Sequence, residues 1–235
     1  MATMVKKCLK LHKRFVAKVT RSSRLESEGS QVLSTLANLS QRMLTLLQCG
    51  STNGNDNGGD LDGNVETMGV LSYSSNTQAL LLQKHFLSLE KSLAFLTDIM
   101  REYQELLRHL RSFASECVLL VDDALLEGES AVSVEDEMAV VTFPLQLQEW
   151  METVLAMLEY EVLRKTRLVT NLEYSDPGRL NAVHMQWRSK GVMGNVDNEY
   201  VQTGLQQAKT FLASLSSNSE SVTSKNKKKK NKAKK

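Results

Sequence analysis

Four histidines and three cysteines are the side chains in this sequence best suited to acid–base, nucleophilic or metal chemistry. Their placement organises none of it. His12, His85, His109 and His184 are scattered along the chain, and no HExxH, GxSxG, GxxxxGK[ST] or paired CxxC pattern occurs. Cys8, Cys49 and Cys117 are odd in number and widely spaced, and two fall on apolar helical stripes. That suits buried free thiols in a reducing compartment better than a disulfide framework or a zinc site. His184 stands three residues before Trp187 without a partner acid or thiol, as a packing or surface histidine does. Asp122 and Asp123 read as solvated acids flanking a linker. Asn53, Asn55, Asn57 and Gly58 imitate positions 1, 3, 5 and 6 of a calcium loop, but position 12 is Asn64, which cannot supply a bidentate carboxylate. The Arg-x-Leu tripeptides at Arg42 and Arg108 overlap apolar stripes, and neither proline follows Ser or Thr. No catalytic residue, cofactor or metal site is therefore expected.

What remains is an architecture of helices. The chain has 235 residues, 41% apolar, with two prolines and 6% aromatic residues, a composition that favours long helices over a sheet. Its net charge of +2 averages three unlike segments. Residues 1–24 hold eight Lys or Arg and no acid, residues 225–235 hold eight Lys and no acid, and the 200 residues between carry 13 basic and 27 acidic residues, net −14. Basic ends on an acidic body point to anionic partners, nucleic acid or a membrane surface. No apolar run reaches the length of a membrane span, and the N-terminus lacks the apolar core of a secretory signal. A soluble protein of nucleus and cytoplasm is expected, with mitochondrial import as the lesser alternative suggested by the acid-free basic N-terminus.

The strongest periodicity runs from Leu82 to Ala124, where Leu82, Phe86, Leu89, Leu93, Leu96, Met100, Tyr103, Leu107, Leu110, Ala114, Cys117, Val121 and Ala124 alternate spacings of four and three. A helix of about 64 Å follows from 1.5 Å per residue. From Ile99 onward a third column, Ile99, Leu106, Phe113 and Leu120, widens the stripe, which calls for two neighbours rather than one. Met4, Cys8, Leu11, Phe15, Leu25, Val32, Leu36, Leu39, Met43 and Leu46 share one frame in the N-terminal segment, breached at Lys18, Ser22 and Gly29. The pattern predicts an all-α chain forming an elongated antiparallel coiled coil or helical bundle. Its parts are basic amphipathic helices over 1–49, a disordered Gly/Asn linker over 50–75, and a long helix over 76–127. An acidic linker follows over 128–142, then a C-terminal helical region over 143–216 and a disordered lysine tail over 217–235. Pro144 is placed in a helix's first turn, and Asp176–Pro177 as N-cap and N1 of a short helix carrying Leu180, Val183, His184 and Trp187.

Several short motifs carry a resemblance. "QVLSTLANLSQRM", "LEKSLAFL", Glu149–Trp150, the "LRK" run thirteen residues after that Trp, Asp176 and Trp187 resemble the AIRIM-type ribosome maturation factor family. "LRKT" and the Asp-Pro eleven residues before a Trp are also similar to the related cyclin-dependent kinase 2-interacting protein family, whereas the Gly/Asn linker and the lysine tail depart from both. The resemblance implies a non-catalytic helical subunit of a AAA+ ATPase complex. Such a subunit would work beside a second helical adaptor in large-ribosomal-subunit maturation and replisome maintenance, touching the pre-ribosomal particle or chromatin indirectly. A kinase-interacting replication or checkpoint factor and a coiled-coil membrane tether are the alternatives. The candidate partner surface comprises Trp150, Arg164, Lys165, Arg167, Asp176, Pro177 and Trp187. The competing expectation is that Trp187 simply packs its short helix onto the preceding one. Lys227, Lys228, Lys229 and Lys230 are the expected nuclear address and a nonspecific nucleic-acid contact.

Overall fold

A computed structural model describes residues 2–51, 76–128, 134–170, 172–189, 195–206 and 210. Among them every regular element is a helix: α1 (Ala2–Ser51), α2 (Thr77–Gly128), α3 (Val134–Thr170), α4 (Pro177–Trp187) and α5 (198–206). The all-α expectation holds. The 50–75 and 217–235 expectations, and with them Lys227 to Lys230, lie outside the described residues, apart from the last turn of α1.

The segments fold as two compact units. Unit 1 comprises Met1–Thr20, Leu107–Tyr160 and Gly194–Lys235, and unit 2 comprises Arg21–Leu106 and Glu161–Met193. In unit 1 the core is built by Val5, Cys8, Leu11 and Phe15 of α1, Leu110, Phe113, Cys117 and Val121 of α2, Met151, Val154 and Leu158 of α3, and Val201 of α5. Arg111 of α2 pairs with Glu159 of α3 at 2.6 Å. In unit 2, Leu25, Leu33 and Leu36 of α1 bury against Leu96, Ile99, Tyr103 and Leu106 of α2, Val162 of α3, and Leu180 and Val183 of α4. Within this unit α1 and α2 run antiparallel, since the carbonyl of Ser22 meets Tyr103 and that of Leu46 meets the Gln78 amide.

Of the third column, Ile99, Leu106 and Phe113 are buried and Leu120 is half-buried. The other end of α2 departs from expectation. Leu82 is only half-buried and Phe86, in strict register, is 51% exposed. Register alone makes a residue available for burial; a second neighbour decides whether it is covered.

Two boundaries also differ. The N-terminal helices are one continuous 50-residue helix running through Lys18, Ser22 and Gly29. Helix α3 starts at Val134, inside the expected acidic linker, so Pro144 sits in the helix interior and not in its first turn. An interior proline forfeits a backbone hydrogen bond and ordinarily costs about 3 kcal/mol, but Pro144 is buried, so its ring is packed. The last helix begins under Asp197, whose Oδ1 accepts from the backbone N–H groups of Glu199 and Tyr200 at 2.9 and 3.1 Å. Asp176 caps α4 as its sequence predicts, accepting from Arg179 N at 3.0 Å with Pro177 at the first position.

Leu110→Ala should lower unfolding free energy by roughly 2–5 kcal/mol, whereas Phe86→Ala, from the same heptad frame, should cost less than about 1 kcal/mol. Urea denaturation of the two variants checks this. Equal losses would contradict the graded burial along α2.

Candidate functional site

The candidate residues fall into different places. Arg164, Lys165 and Trp187 come together in unit 2. Trp150 belongs to unit 1, Arg167 is exposed, and Asp176 and Pro177 serve as the cap of α4.

Trp187 ends α4 fully buried. Its indole Nε1 donates to the carbonyl of Glu26 at 3.0 Å, and its ring lies against the backbone of Gly29, where any Cβ would overlap the indole. Tyr103 meets the ring edge-on, with centroids 6.3 Å apart, and Lys165 Nζ sits 4.3 Å from the ring centre. The breach at Gly29 in the α1 frame is therefore the seat of Trp187.

Lys165 is buried as completely, and its ammonium is satisfied on every proton. Glu26 Oε2 lies at 2.6 Å, Glu161 Oε1 at 2.8 Å and the Trp187 carbonyl at 3.1 Å. Three acceptors for three donors is the condition under which a buried ammonium is tolerated. Arg164 clamps both oxygens of Glu161, at 3.0 and 2.6 Å, and donates to the Gln186 carbonyl at 2.7 Å. Hydrogen bonding to Glu161 holds the Arg164 guanidinium above its ordinary pKa. Two cations from α3 thus satisfy the last carbonyls of α4, where the helix dipole is negative. Burial, helped by Glu26 and Glu161, pushes the Tyr103 phenol well above its usual value, so it stays a neutral donor to the Ser22 carbonyl.

This corrects the expected docking corner. Trp150, Lys165 and Trp187 are buried within the chain and present no surface to a partner. Trp187 packs α4 onto α1 and α2 as well as onto α3, which is more than the competing expectation gave it. Glu26, Gly29, Tyr103 and Glu161 went unidentified as members of the group. The one signal in the sequence was Gly29 on an otherwise apolar stripe, a small residue that marks a close approach from elsewhere.

Unit 1 uses the same device around Trp150. A Cβ on Gly204 would overlap the Trp150 indole, whose Nε1 donates to the Tyr200 carbonyl at 3.4 Å. His12 and Phe15 pack on this ring with centroids 5.1 and 5.7 Å away. His12 Nε2 is buried without a hydrogen-bond partner, and burial lowers the His12 pKa to about 4. Cys8 and Cys117 are buried free thiols as expected, hydrogen-bonded to each other, and that bond together with burial holds the Cys117 thiol above its usual range.

One open groove in unit 2 carries a hydroxyl and an imidazole within reach of each other. It has a volume of about 870 Å³, with Ser23, Ser27, Ser30 and Ser34 along α1 opposite His184 and Arg188. His184 Nε2 and Ser30 Oγ are 3.0 Å apart. Burial and then Arg188 lower the His184 pKa, which keeps the ring neutral, but among the described residues no carboxylate hydrogen-bonds its other nitrogen. A hydroxyl and a base without the group that orients the base fall short of an activated nucleophile. No group of three or more metal-ligating side chains occurs among the described residues.

Gly29→Ala should destabilise the protein by about 1–3 kcal/mol through overpacking, although alanine is the better helix former by about 1 kcal/mol. Trp187→Ala should cost roughly 3–5 kcal/mol. The double variant should cost less than the two single losses added, because the overlap disappears with the indole. Additive losses in thermal melting would separate the two residues.

His12 gives a pH dependence of known sign. Its folded pKa lies below the unfolded value near 6.5, so the unfolded chain binds the proton first and stability falls as pH drops through 6.5 towards 4. Between pH 7 and 5 the wild type should lose about 2 kcal/mol more than His12→Leu. Urea midpoints at the two pH values provide the comparison, and parallel losses would contradict it.

No protein-family model, curated protein or solved structure matches the chain.

Proposed function

We propose that the chain is a non-enzymatic adaptor or scaffold subunit of a AAA+ ATPase complex, acting in large-ribosomal-subunit maturation and replisome maintenance in nucleus and cytoplasm. The identity of the complex rests on the motif resemblance. The adaptor role rests on one observation, the uncovered face of α2 in unit 2.

Leu80 and Leu87, seven residues apart, are 62% and 59% exposed. With Gln83, Lys84, Ser88 and Lys91 they line an open groove of about 470 Å³. Apolar residues at heptad spacing flanked by lysines are what one helix offers another in a coiled coil, with the partner supplying apolar residues and facing carboxylates. Such a face suits the second helical subunit that the resemblance implies. The membrane-tether alternative draws no support from α1, whose apolar stripe (Val5, Cys8, Leu11, Phe15) is buried, and no described helix is long and apolar enough to cross a membrane.

Native purification of the tagged full chain with mass spectrometry should recover a AAA+ ATPase and a helical co-subunit. Leu80→Glu/Leu87→Glu should reduce that recovery at least about tenfold, or 1.4 kcal/mol, with an unchanged melting temperature, since both side chains are exposed. Recovery without any ATPase, or full recovery by the variant, would sink the reading.

A further inference from the structure

The first five turns of α1 carry a row of cations on the side facing away from the core. Lys6, Lys7, Lys10, Lys13 and Arg14 are exposed and Lys18 is half-exposed. At 100° per residue these six fall within one face, about 140° wide and about 18 Å long. The opposite side of the same turns, Val5, Cys8, Leu11, His12 and Phe15, is the core of unit 1. Among the described residues no carboxylate pairs with any of the six; Arg14 makes a cation–π contact over the Phe113 ring, at 4.4 Å. The next two cations along the helix are held differently: Arg21 pairs with Glu102 and Arg24 with Glu28. The helix also begins without an acidic residue in its first turn, so its positive dipole end adds to the field.

From this we propose that the face of Lys6, Lys7, Lys10, Lys13, Arg14 and Lys18 is a binding surface for the phosphate backbone of double-helical nucleic acid. The proposal stands independently of the adaptor reading, which places a protein partner on α2.

Two features of the surface choose this occupant. A lipid-bound amphipathic helix inserts its apolar face among the acyl chains, and here that face is already packed into the protein. Single-stranded nucleic acid is held by stacking its bases on aromatic rings, and the aromatic residues nearest the stripe in sequence and space, Phe15 and Phe113, are buried. A duplex needs neither insertion nor stacking. It presents a regular array of phosphates, and a rigid row of ammonium groups binds it by releasing counterions without reading sequence.

The test measures binding of a random-sequence 20-base-pair DNA duplex to the full chain by fluorescence anisotropy over a salt series. Lys6→Gln/Lys10→Gln/Lys13→Gln should flatten the slope of log K against log salt by nearly three, about 0.9 for each phosphate no longer neutralised. At 0.1 M salt, with equal affinities at 1 M, that is an affinity loss of about 500-fold. The changed side chains are exposed, so the melting temperature should stay at the wild-type value, and the lysine tail is present in both proteins and cancels. The charge-matched variant Arg42→Gln/Arg167→Gln/Arg188→Gln, at exposed positions outside residues 1–20, should keep the wild-type slope. Equal flattening by both variants would mean that net charge alone binds DNA, and an unchanged slope in the lysine variant would place binding elsewhere; either overturns the proposal. A third outcome also overturns it: loss of binding to vesicles containing phosphatidylserine with no change towards the duplex.

Discussion

Trp187 can end a helix in the interior of unit 2 because residue 29 has no side chain. The indole needs a flat bed of helix backbone and an acceptor for its N–H, and α1 supplies both within one turn, at Gly29 and at the Glu26 carbonyl. Helix α4 has only 11 residues, too few for an isolated helix to hold in water. Its Asp176 cap starts it and the buried indole fastens its end. The rest of this corner follows from that seat, since burying the ring sets the Gln186 and Trp187 carbonyls against α3, the latter out of contact with water. Arg164 and Lys165 are the groups that meet them there.

The electrostatics follow the same logic of enforced pairing. A buried ammonium survives only with its protons satisfied, and Lys165 obtains two carboxylates from two helices as well as a carbonyl. Glu161 in turn is shared between Lys165 and Arg164, so no charge in the group is left alone. His12 in unit 1 shows the opposite resolution: with no acceptor at hand for Nε2, burial keeps the ring neutral. Both arrangements are structural, and in each the perturbed group is accounted for by what packs around it.

The sequence was most legible where many residues repeated one signal. Thirteen positions in register predicted α2, and the added column from Ile99 correctly foretold burial by more than one neighbour. Asp176–Pro177 predicted its cap because capping is local chemistry. Phe86 shows the limit of periodicity, which specifies a face and not what covers it. Gly29 reads as a defect because periodicity scores only the helix on which it lies. Its meaning sits 158 residues away, in Trp187. The triple pairing of Lys165 was illegible for the same reason, since Glu26 carries no mark that distinguishes it from a solvated glutamate. Pro144 misled in the other direction: its usual place at a helix start outweighed the helix-forming residues ahead of it.

The division of charge along α1 bears on what its surfaces are for. Arg21 and Arg24 meet carboxylates of the fold, and such exposed pairs add little to stability because solvent screens them. The row from Lys6 to Lys18 has no such partners among the described residues, so its mutual repulsion opposes folding slightly and is offset by the apolar face beneath it. A helix whose buried side alone would fix it in place has no structural need for six cations on the other. Their joint presence on one face of a rigid helix, with acids excluded from the whole segment, concentrates a field that extends about one Debye length, near 8–10 Å, into solvent. At that range it acts on other molecules and no longer on the fold. Unit 2, where apolar residues on α2 stand uncovered, offers instead a short-range surface that works only on contact. The two surfaces therefore differ in how salt affects them, because counterions weaken the first and leave the second nearly unchanged.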